Sequence, residues 1–242
     1  MKSKIDRIEE LGELLKSGAI TKEEFNSLKK ELLGPINKKE VVPDSKQSDF
    51  LYTVKRQDSY SRGALLLRTF FGLLYIGIPH YICFILLSIV SMIIGFIAFW
   101  AILFAGKYPK GMFKFQVGFR RWKLKVSAVL SNLIDGYPSF GFSDDGGGVT
   151  FDMKYPIKLS RGKLILRTLF GFLYVYLPHL ICLIFVQIGA SFTSMIAFWA
   201  ILFTGKYPAG MHSFVVGANR WWLRLGVYMA NMTDTYPPFS TK

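Results

Sequence analysis

The sequence predicts an all-α membrane protein built from two tandem, parallel copies of one helical unit. Residues 61–140 and 160–239 align without a gap, and about 42 of the 80 aligned positions are identical, which identifies an internal repeat. Hydrophobic residues make up 51% of the chain and aromatic residues 16%, with a mean hydropathy of +0.32. Each copy also contains a long stretch without charge. These three observations are typical of membrane proteins.

The net charge of +14 is placed unevenly along the chain. Residues 1–50 carry ten basic and ten acidic side chains, so the remainder carries 20 basic and 6 acidic ones. A basic excess beside apolar segments points to anionic lipid head groups as partners. Because the basic residues flank apolar stretches rather than a soluble fold, no nucleic-acid partner is expected.

The uncharged stretch of the first copy runs from Thr69 to Gly106. As a helix it would be roughly 57 Å long, about twice the hydrocarbon thickness of a bilayer. This length favours a hairpin in each copy, with turns near residues 88–92 and 187–193. The hairpins either span the bilayer or are re-entrant, and both of their ends lie on one side. Two parallel repeats follow, related by an axis along the membrane normal rather than inverted.

Basic residues flank both ends of each predicted hairpin. Arg68 and Lys107 bound the first, and Arg167 and Lys206 bound the second. The predicted far turns carry no charge, so the positive-inside rule places these four side chains and both termini in the cytoplasm. We therefore expect them to contact lipid head groups.

A Gly-Lys-Tyr-Pro turn and an amphipathic segment follow each apolar stretch. In the first copy, Arg121, Trp122 and Lys125 lie on or beside its apolar stripe. The equivalent residues of the second copy are Arg220, Trp221 and Arg224. A tryptophan-rich face with a basic edge predicts a helix lying on the cytoplasmic leaflet, with these six residues as its lipid contacts. The alternative is a third, membrane-buried helix that packs on the hairpin.

Residues 1–33 predict a separate small helical hairpin, followed by a linker at residues 34–60. Apolar residues recur at helical spacing, and we expect them to mediate oligomerisation: Ile8, Leu11, Leu15, Phe25, Leu28 and Leu32. The pattern KIDRIEELGELLKSGAITKEEFNSLKKELL resembles the short C-terminal domain family (SHOCT), which implies a role in assembly. Residues 141–159, rich in glycine, predict a flexible linker between the repeats.

Both repeats also resemble a bacterial membrane family, domain of unknown function 4389. The motifs are Pro-His before an apolar run, Ala-Phe-Trp-Ala-Ile-Leu-Phe-x-Gly-Lys-Tyr-Pro-x-Gly, Gly-x-x-Arg-Trp, and Asp-x-Tyr-Pro-x-Phe. The first copy departs at Ser139, where the second has Pro238. The resemblance implies a multi-pass protein of the bacterial cytoplasmic membrane and carries no established chemistry.

His80 and His179 are the ionisable residues within the apolar stretches. Such residues are candidates for function by default. One interpretation is structural, with each imidazole bonded to a carbonyl freed by the preceding proline. A proton- or ligand-gated role and a shared metal site are alternatives, although two ligands make a poor metal site. Asp135 and Asp234 are interpreted as turn caps or as ion-pair partners of a nearby arginine.

The sequence contains no P-loop, Gly-x-Ser-x-Gly, His-Glu-x-x-His or dinucleotide motif, so we expect neither an enzyme nor a bound cofactor or metal. The leading hypothesis is an oligomeric membrane scaffold, or the membrane subunit of a larger complex. One alternative is a channel or transporter with His80 and His179 lining its path. Another is a lipid-binding or bilayer-deforming protein.

Overall fold

The computed structural model describes Thr21, residues 49–144 and residues 146–242. The predicted N-terminal hairpin and its oligomerisation residues lie outside these ranges. The chain divides into two units, Met1–Lys46 and Gln47–Lys242, and the fold described below is that of the second unit. It is mostly helical, as predicted.

A two-stranded antiparallel ribbon is the exception to the all-α prediction. Strand β1 (Phe50–Val54), inside the predicted linker at residues 34–60, pairs with β2 (Val149–Met153), inside the predicted linker at residues 141–159. Both predicted linkers are corrected in these parts. Tyr52 faces Phe151, its own counterpart 99 positions along the chain. A pseudo-two-fold axis perpendicular to the ribbon therefore passes between Tyr52 and Phe151. Rotation by 180° about this axis exchanges the two antiparallel strands and leaves each face of the ribbon on its own side. Alternate residues of both strands are buried on that shared face.

Three helical segments make up the first repeat. Helix α1 (Arg62–Gly72) continues through a π-helical turn, Leu73–Gly77, into α2 (Ile78–Ala105). After a short connection, α3 (Lys110–Leu130) returns alongside the long helix.

The second repeat has the same elements at equivalent positions. Helix α4 (Arg161–Gly171) continues through the π-helical turn Phe172–Tyr176 into α5 (Leu177–Thr204), and α6 (Ala209–Met229) follows. In each repeat the first two helices and their π turn form one helix of 44 residues. By length and composition, these two long helices are apolar enough to cross a membrane.

The continuous long helix corrects the predicted hairpin. No turn occurs at residues 88–92 or 187–193, where the helical hydrogen bonding is unbroken. These positions hold no proline and only one glycine, Gly189, so nothing in them forces the chain to reverse. The reversal comes instead after Gly106, which ends α2 with φ 67°, and before Pro109, which starts α3.

The π turn has a local cause in Pro79. Proline in the first turn of α2 has no N–H, so the carbonyl of Tyr75 loses its helical partner. The hydroxyl of Tyr137 donates to that carbonyl at 3.4 Å, and Tyr236 does the same for Tyr174 in the second repeat. The sequence interpretation had given this role to the histidine.

Helix α3 runs antiparallel to the long helix over most of its length. Gln116 bonds Ser91, and Trp122 bonds His80. The side chain of Leu130 packs on Gly72, where an added Cβ would lie 3.2 Å from it. Its other side packs against β2. The apolar stripe predicted to face the membrane surface therefore faces the interior of the repeat, where α3 packs as a third helix. The membrane burial of that third helix stays a prediction.

The two repeats interlock reciprocally at their ends. The backbone N–H of Tyr60 donates to the carbonyl of Gly205, and that of Leu159 donates to the carbonyl of Gly106. Helix α1 contacts α5, and α4 contacts α2, so the beginning of each long helix lies beside the end of the other. Such an exchange of identical contacts is what a two-fold axis requires.

Candidate functional site

The long helices present an exposed apolar side along their whole length. In the first repeat the buried residues recur every three or four positions from Leu65 through Arg68, Gly72, Ile76 and His80 to Phe84. Ala98 and Ile102 continue the buried side near the end of the helix. The opposite side is exposed and apolar, with Leu67, Phe70, Leu74, Ile78, Ile85, Phe96, Trp100 and Phe104 among its members. We call this the outer side of the long helix.

The second repeat has the same outer side. Its exposed members include Phe170, Leu173, Ile181, Phe185, Phe192, Trp199 and Phe203. Phe96 is 66% exposed and Phe185 71% exposed, values that a folded protein in water seldom shows for many neighbouring aromatic residues. Two such helices in one chain therefore indicate a surface that meets lipid or another apolar partner.

Cations mark both ends of the paired long helices. The guanidinium of Arg62 donates to the carbonyl of Phe203 at 3.0 Å, and that of Arg161 donates to the carbonyl of Phe104 at 2.6 Å. A positive charge at the last turn of a helix is stabilised by the helix dipole. The Ser-Arg-Gly triplet that opens each repeat supplies both arginines.

Each histidine lies in a closed aromatic cluster inside its own repeat. The indole N–H of Trp122 donates to Nδ1 of His80 at 3.0 Å, and Phe140 stacks on the imidazole with ring centres 4.0 Å apart. In the second repeat, Trp221 donates to His179 at 2.9 Å, and Phe239 stacks at 3.8 Å. Both imidazoles are fully buried.

The tryptophans predicted as membrane anchors are thus internal. Trp122 and Trp221 are each 5% exposed, because the indole fills the space between the two helices of its repeat while its N–H donates to Nδ1 of the histidine. The exposed tryptophans are Trp100, Trp199 and Trp222. The first two lie on the outer sides, close to the basic ends of the helices.

Arg68 and Arg167, predicted as lipid contacts, are also internal. Arg68 pairs with Asp135 at 2.6 Å and donates to the Asn132 side chain at 2.9 Å. The second pair, Arg167 and Asp234, is 3.6 Å apart. The carboxylates also accept the backbone N–H groups of Ser61 and Ser160, each at 2.6 Å. The ion-pair interpretation of the two aspartates is confirmed, and it explains why these arginines face inward.

Four further predicted lipid contacts bond protein groups instead. Arg121 donates to the carbonyls of Phe142 and Phe151, and buried Lys125 donates to the carbonyl of Ser143 at 2.6 Å. Arg220 and Arg224 bond backbone carbonyls in the same way, namely those of Tyr52, Ser240, Thr241 and Lys242. Of the ten predicted lipid contacts, Lys107 and Lys206 remain exposed.

Lys123 is an exposed cation at the boundary between α3 and the long helix. Its Nζ lies 4.5 Å from the ring centre of Phe119 and 5.9 Å from that of Phe84. Partial burial lowers the pKa of Lys123, and the charge of Arg120 lowers it further. Within residues 49–144 and 146–242, no cluster of His, Cys, Asp and Glu side chains is placed to hold a metal ion.

Family comparison gives two matches. The description Domain of unknown function (DUF4389) matches residues 62–142 and 163–241, and Short C-terminal domain (SHOCT) matches residues 6–33. No curated protein and no solved structure matches the chain. Both resemblances inferred from the sequence are confirmed. The DUF4389 matches cover more than half of the chain and coincide with the two structural repeats, so the chain belongs to the DUF4389 family, with two tandem copies of its domain.

Proposed function

We propose that this chain is a non-enzymatic membrane protein that acts as an oligomeric scaffold or as the membrane subunit of a larger complex. The observation that carries the proposal is the exposed apolar outer side of both long helices. Removing such a surface from water is the main source of free energy for membrane binding. Its continuity over two helices favours lipid as the partner.

Charge supports an anionic membrane on the cytoplasmic side. Exposed Lys107 and Lys206 follow the ends of the long helices, where a head group could reach them. The part of the chain after residue 50 carries the whole net charge of +14. Basic residues next to apolar segments stay on the cytoplasmic side, so we propose the bacterial cytoplasmic membrane with both termini in the cytoplasm.

Assembly is proposed to depend on the SHOCT domain at residues 6–33. A unit of that size buries too little apolar surface to be stable alone, so its apolar stripes would pair with copies of themselves or with a partner. The membrane repeats would then hold the assembled domains at the bilayer.

Geometry favours this function over a channel lined by the histidines. His80 and His179 are each enclosed by a tryptophan and a phenylalanine of the same repeat, and neither ring reaches a surface. A path through them would require both clusters to open.

Two measurements on the full-length chain test the proposal. After expression in bacteria, we expect the protein in the membrane fraction, resistant to high salt and released by detergent; recovery in the soluble fraction would overturn membrane binding. Native mass spectrometry in detergent should give an oligomer. Leu11→Asp together with Phe25→Asp should reduce it to a monomer while leaving the protein in the membrane, and an unchanged mass would overturn the assembly role.

A further inference from the structure

We propose that the two long helices lie parallel to the membrane plane, with their outer sides immersed in one leaflet, and that the chain does not cross the bilayer. This inference rests on the membrane binding proposed above and assigns its geometry. The partner is a single leaflet containing anionic phospholipid. The proposal replaces the multi-pass topology expected from hydropathy and keeps both termini on one side.

Length is the first argument. Each long helix has 44 residues, which at 1.5 Å per residue is about 66 Å measured along the helix. The hydrocarbon core of a bilayer is about 30 Å thick, and about 45 Å with its head groups. A helix of this length standing upright would carry exposed apolar side chains well beyond the membrane. Exposed apolar residues occur from Leu67 to Phe104 with no exposed charged residue among them, so the apolar side is too long for a span and suited to a helix lying flat.

The position of α3 is the second argument. This helix runs beside α2, bonded to it at Ser91 and His80. It carries exposed Lys114 and Lys123, and Lys123 lies over the ring of Phe84, in the middle of the uncharged stretch. An upright α2 would take these lysines into hydrocarbon, where an unpaired ammonium is strongly disfavoured. A flat α2 leaves α3 on the aqueous side, within reach of the head groups.

Charges at both ends of the helix pair are the third argument. One end carries Arg62 beside the last turn of α5, with Lys206 following, and the other carries Arg161 beside the last turn of α2, with Lys107 following. A flat orientation places all four cations at head-group level around the apolar surface. An upright orientation would put half of them on the far side of the bilayer, against the positive-inside rule.

The face of the ribbon that points away from the helices is mostly polar. Its buried face packs toward the helices, while Leu51, Thr53, Thr150 and Asp152 alternate on the other face. The pseudo-two-fold axis between Tyr52 and Phe151 is perpendicular to this ribbon. Both repeats therefore face the same way along the axis, which would coincide with the membrane normal.

Depth measurements along one long helix test the orientation. Cys83 and Cys182 are replaced by alanine, and single cysteines are placed on the outer side at Leu67, Ile85, Phe96 or Phe104. The full-length chain is reconstituted into vesicles of phosphatidylcholine with phosphatidylglycerol, and each cysteine receives a nitroxide spin label. Relative accessibility to oxygen and to a water-soluble nickel complex then reports the depth of each label. Lys123→Cys serves as the matched control on the adjacent helix.

We expect the four outer-side labels at one shared depth, about 5–10 Å below the head groups, with the Lys123→Cys label accessible from water. Depths that pass through the bilayer centre between Leu67 and Phe104, with the Lys123→Cys label in lipid, would overturn the flat orientation and leave membrane binding intact. Outer-side labels shielded from both reagents and close to one another between chains would show a second copy as the occupant, and would also overturn it. A chain that does not float with the vesicles would contradict membrane binding itself.

Discussion

Trp122 donates its indole N–H to Nδ1 of His80 across 3.0 Å, which joins α3 to α2 in the first repeat. Trp221 and His179 make the same bond at 2.9 Å in the second repeat. All four side chains are buried, and a phenylalanine stacks on each imidazole. The duplicated Pro-His and Arg-Trp motifs, 42 residues apart in the chain, are thus two halves of one internal contact.

The first prediction concerns this bond. Trp122→Phe keeps an aromatic ring in place but leaves His80 Nδ1 buried without its donor, so we expect the free energy of unfolding to fall by about 1–3 kcal/mol. Trp221→Phe should give a similar loss. Trp222→Phe is the matched control, because Trp222 is 50% exposed, and its effect should stay within about 0.5 kcal/mol. Denaturant unfolding in mild detergent measures all three. Equal effects at Trp122 and Trp222 would contradict the assignment.

The second prediction concerns the buried ion pair between Arg68 and Asp135. Arg68→Ala leaves a carboxylate in a mostly buried site, and we expect a loss of about 3–5 kcal/mol in unfolding free energy. Adding Asp135→Ala should cost less than the sum of the single changes, because the two groups share one network. Arg62→Ala, an exposed cation at the helix end, should cost about 1 kcal/mol or less. Additive losses in the double variant would show that the pair is not coupled.

The third prediction concerns pH. Burial lowers the pKa of His212 most, the charge of Arg56 lowers it further, and the backbone of Leu133 opposes both. Between the folded pKa and the unfolded value of about 6.5, the unfolded chain binds more protons, so stability rises with pH through this window. As the pH falls below about 6.5, the unfolding free energy therefore decreases.

The first repeat supplies the matched substitution for this test. Phe113 occupies the equivalent position, with its ring 5.6 Å from Tyr108, as His212 lies 5.2 Å from Tyr207. His212→Phe should therefore be tolerated at pH 7.5 and should lose less stability than the wild type at pH 5. Thermal unfolding at both pH values measures the difference. A variant with the same pH dependence as the wild type would rule out His212 as a contributor.

The fourth prediction uses two glycines of α6. A Cβ on Gly217 would lie 2.5 Å from the carbonyl oxygen of Thr241, so Gly217→Ala must displace backbone and should be destabilising. A Cβ on Gly226 would meet nothing within 4 Å, and alanine there should stabilise the helix by about 0.5–1 kcal/mol. Opposite signs in unfolding experiments are the expected result. A stabilising Gly217→Ala would contradict the close packing of the C-terminal segment on α6.

The repeat, its boundaries and the Gly-Lys-Tyr-Pro reversal were predictable, because identity between the copies and a left-handed glycine before proline are local signals. The continuous course of the long helix, without a turn near residues 88–92, was not predictable. A stretch of 38 uncharged residues is compatible both with a hairpin in lipid and with one long helix, and hydropathy does not distinguish these two structures. The choice depends on α3, which lies alongside the stretch and is itself unremarkable in hydropathy.

Eight of the ten candidate lipid contacts were wrong for a related reason, because they bond groups inside the protein. Arg68 and Trp122 have the composition of interface anchors, yet each has a partner in a distant part of the repeat, namely Asp135 and His80. A sequence pattern gives the side of a helix on which a residue lies, whereas the partner that faces this side follows from tertiary packing. The exposed phenylalanines of the long helices are the residues that indicate an apolar partner instead.

The outer sides of the long helices are the proposed membrane-binding surface, and vesicle flotation tests them most directly. Full-length wild type should float with vesicles containing phosphatidylglycerol, whereas Ile85→Glu combined with Phe96→Glu should reduce the floating fraction at least tenfold by placing charge on the immersed surface. Leu51 is an exposed apolar residue on the outward face of the ribbon, and the Leu51→Glu variant should float like the wild type. A double variant that floats as well as the wild type, or a wild type that stays in solution, would contradict the account.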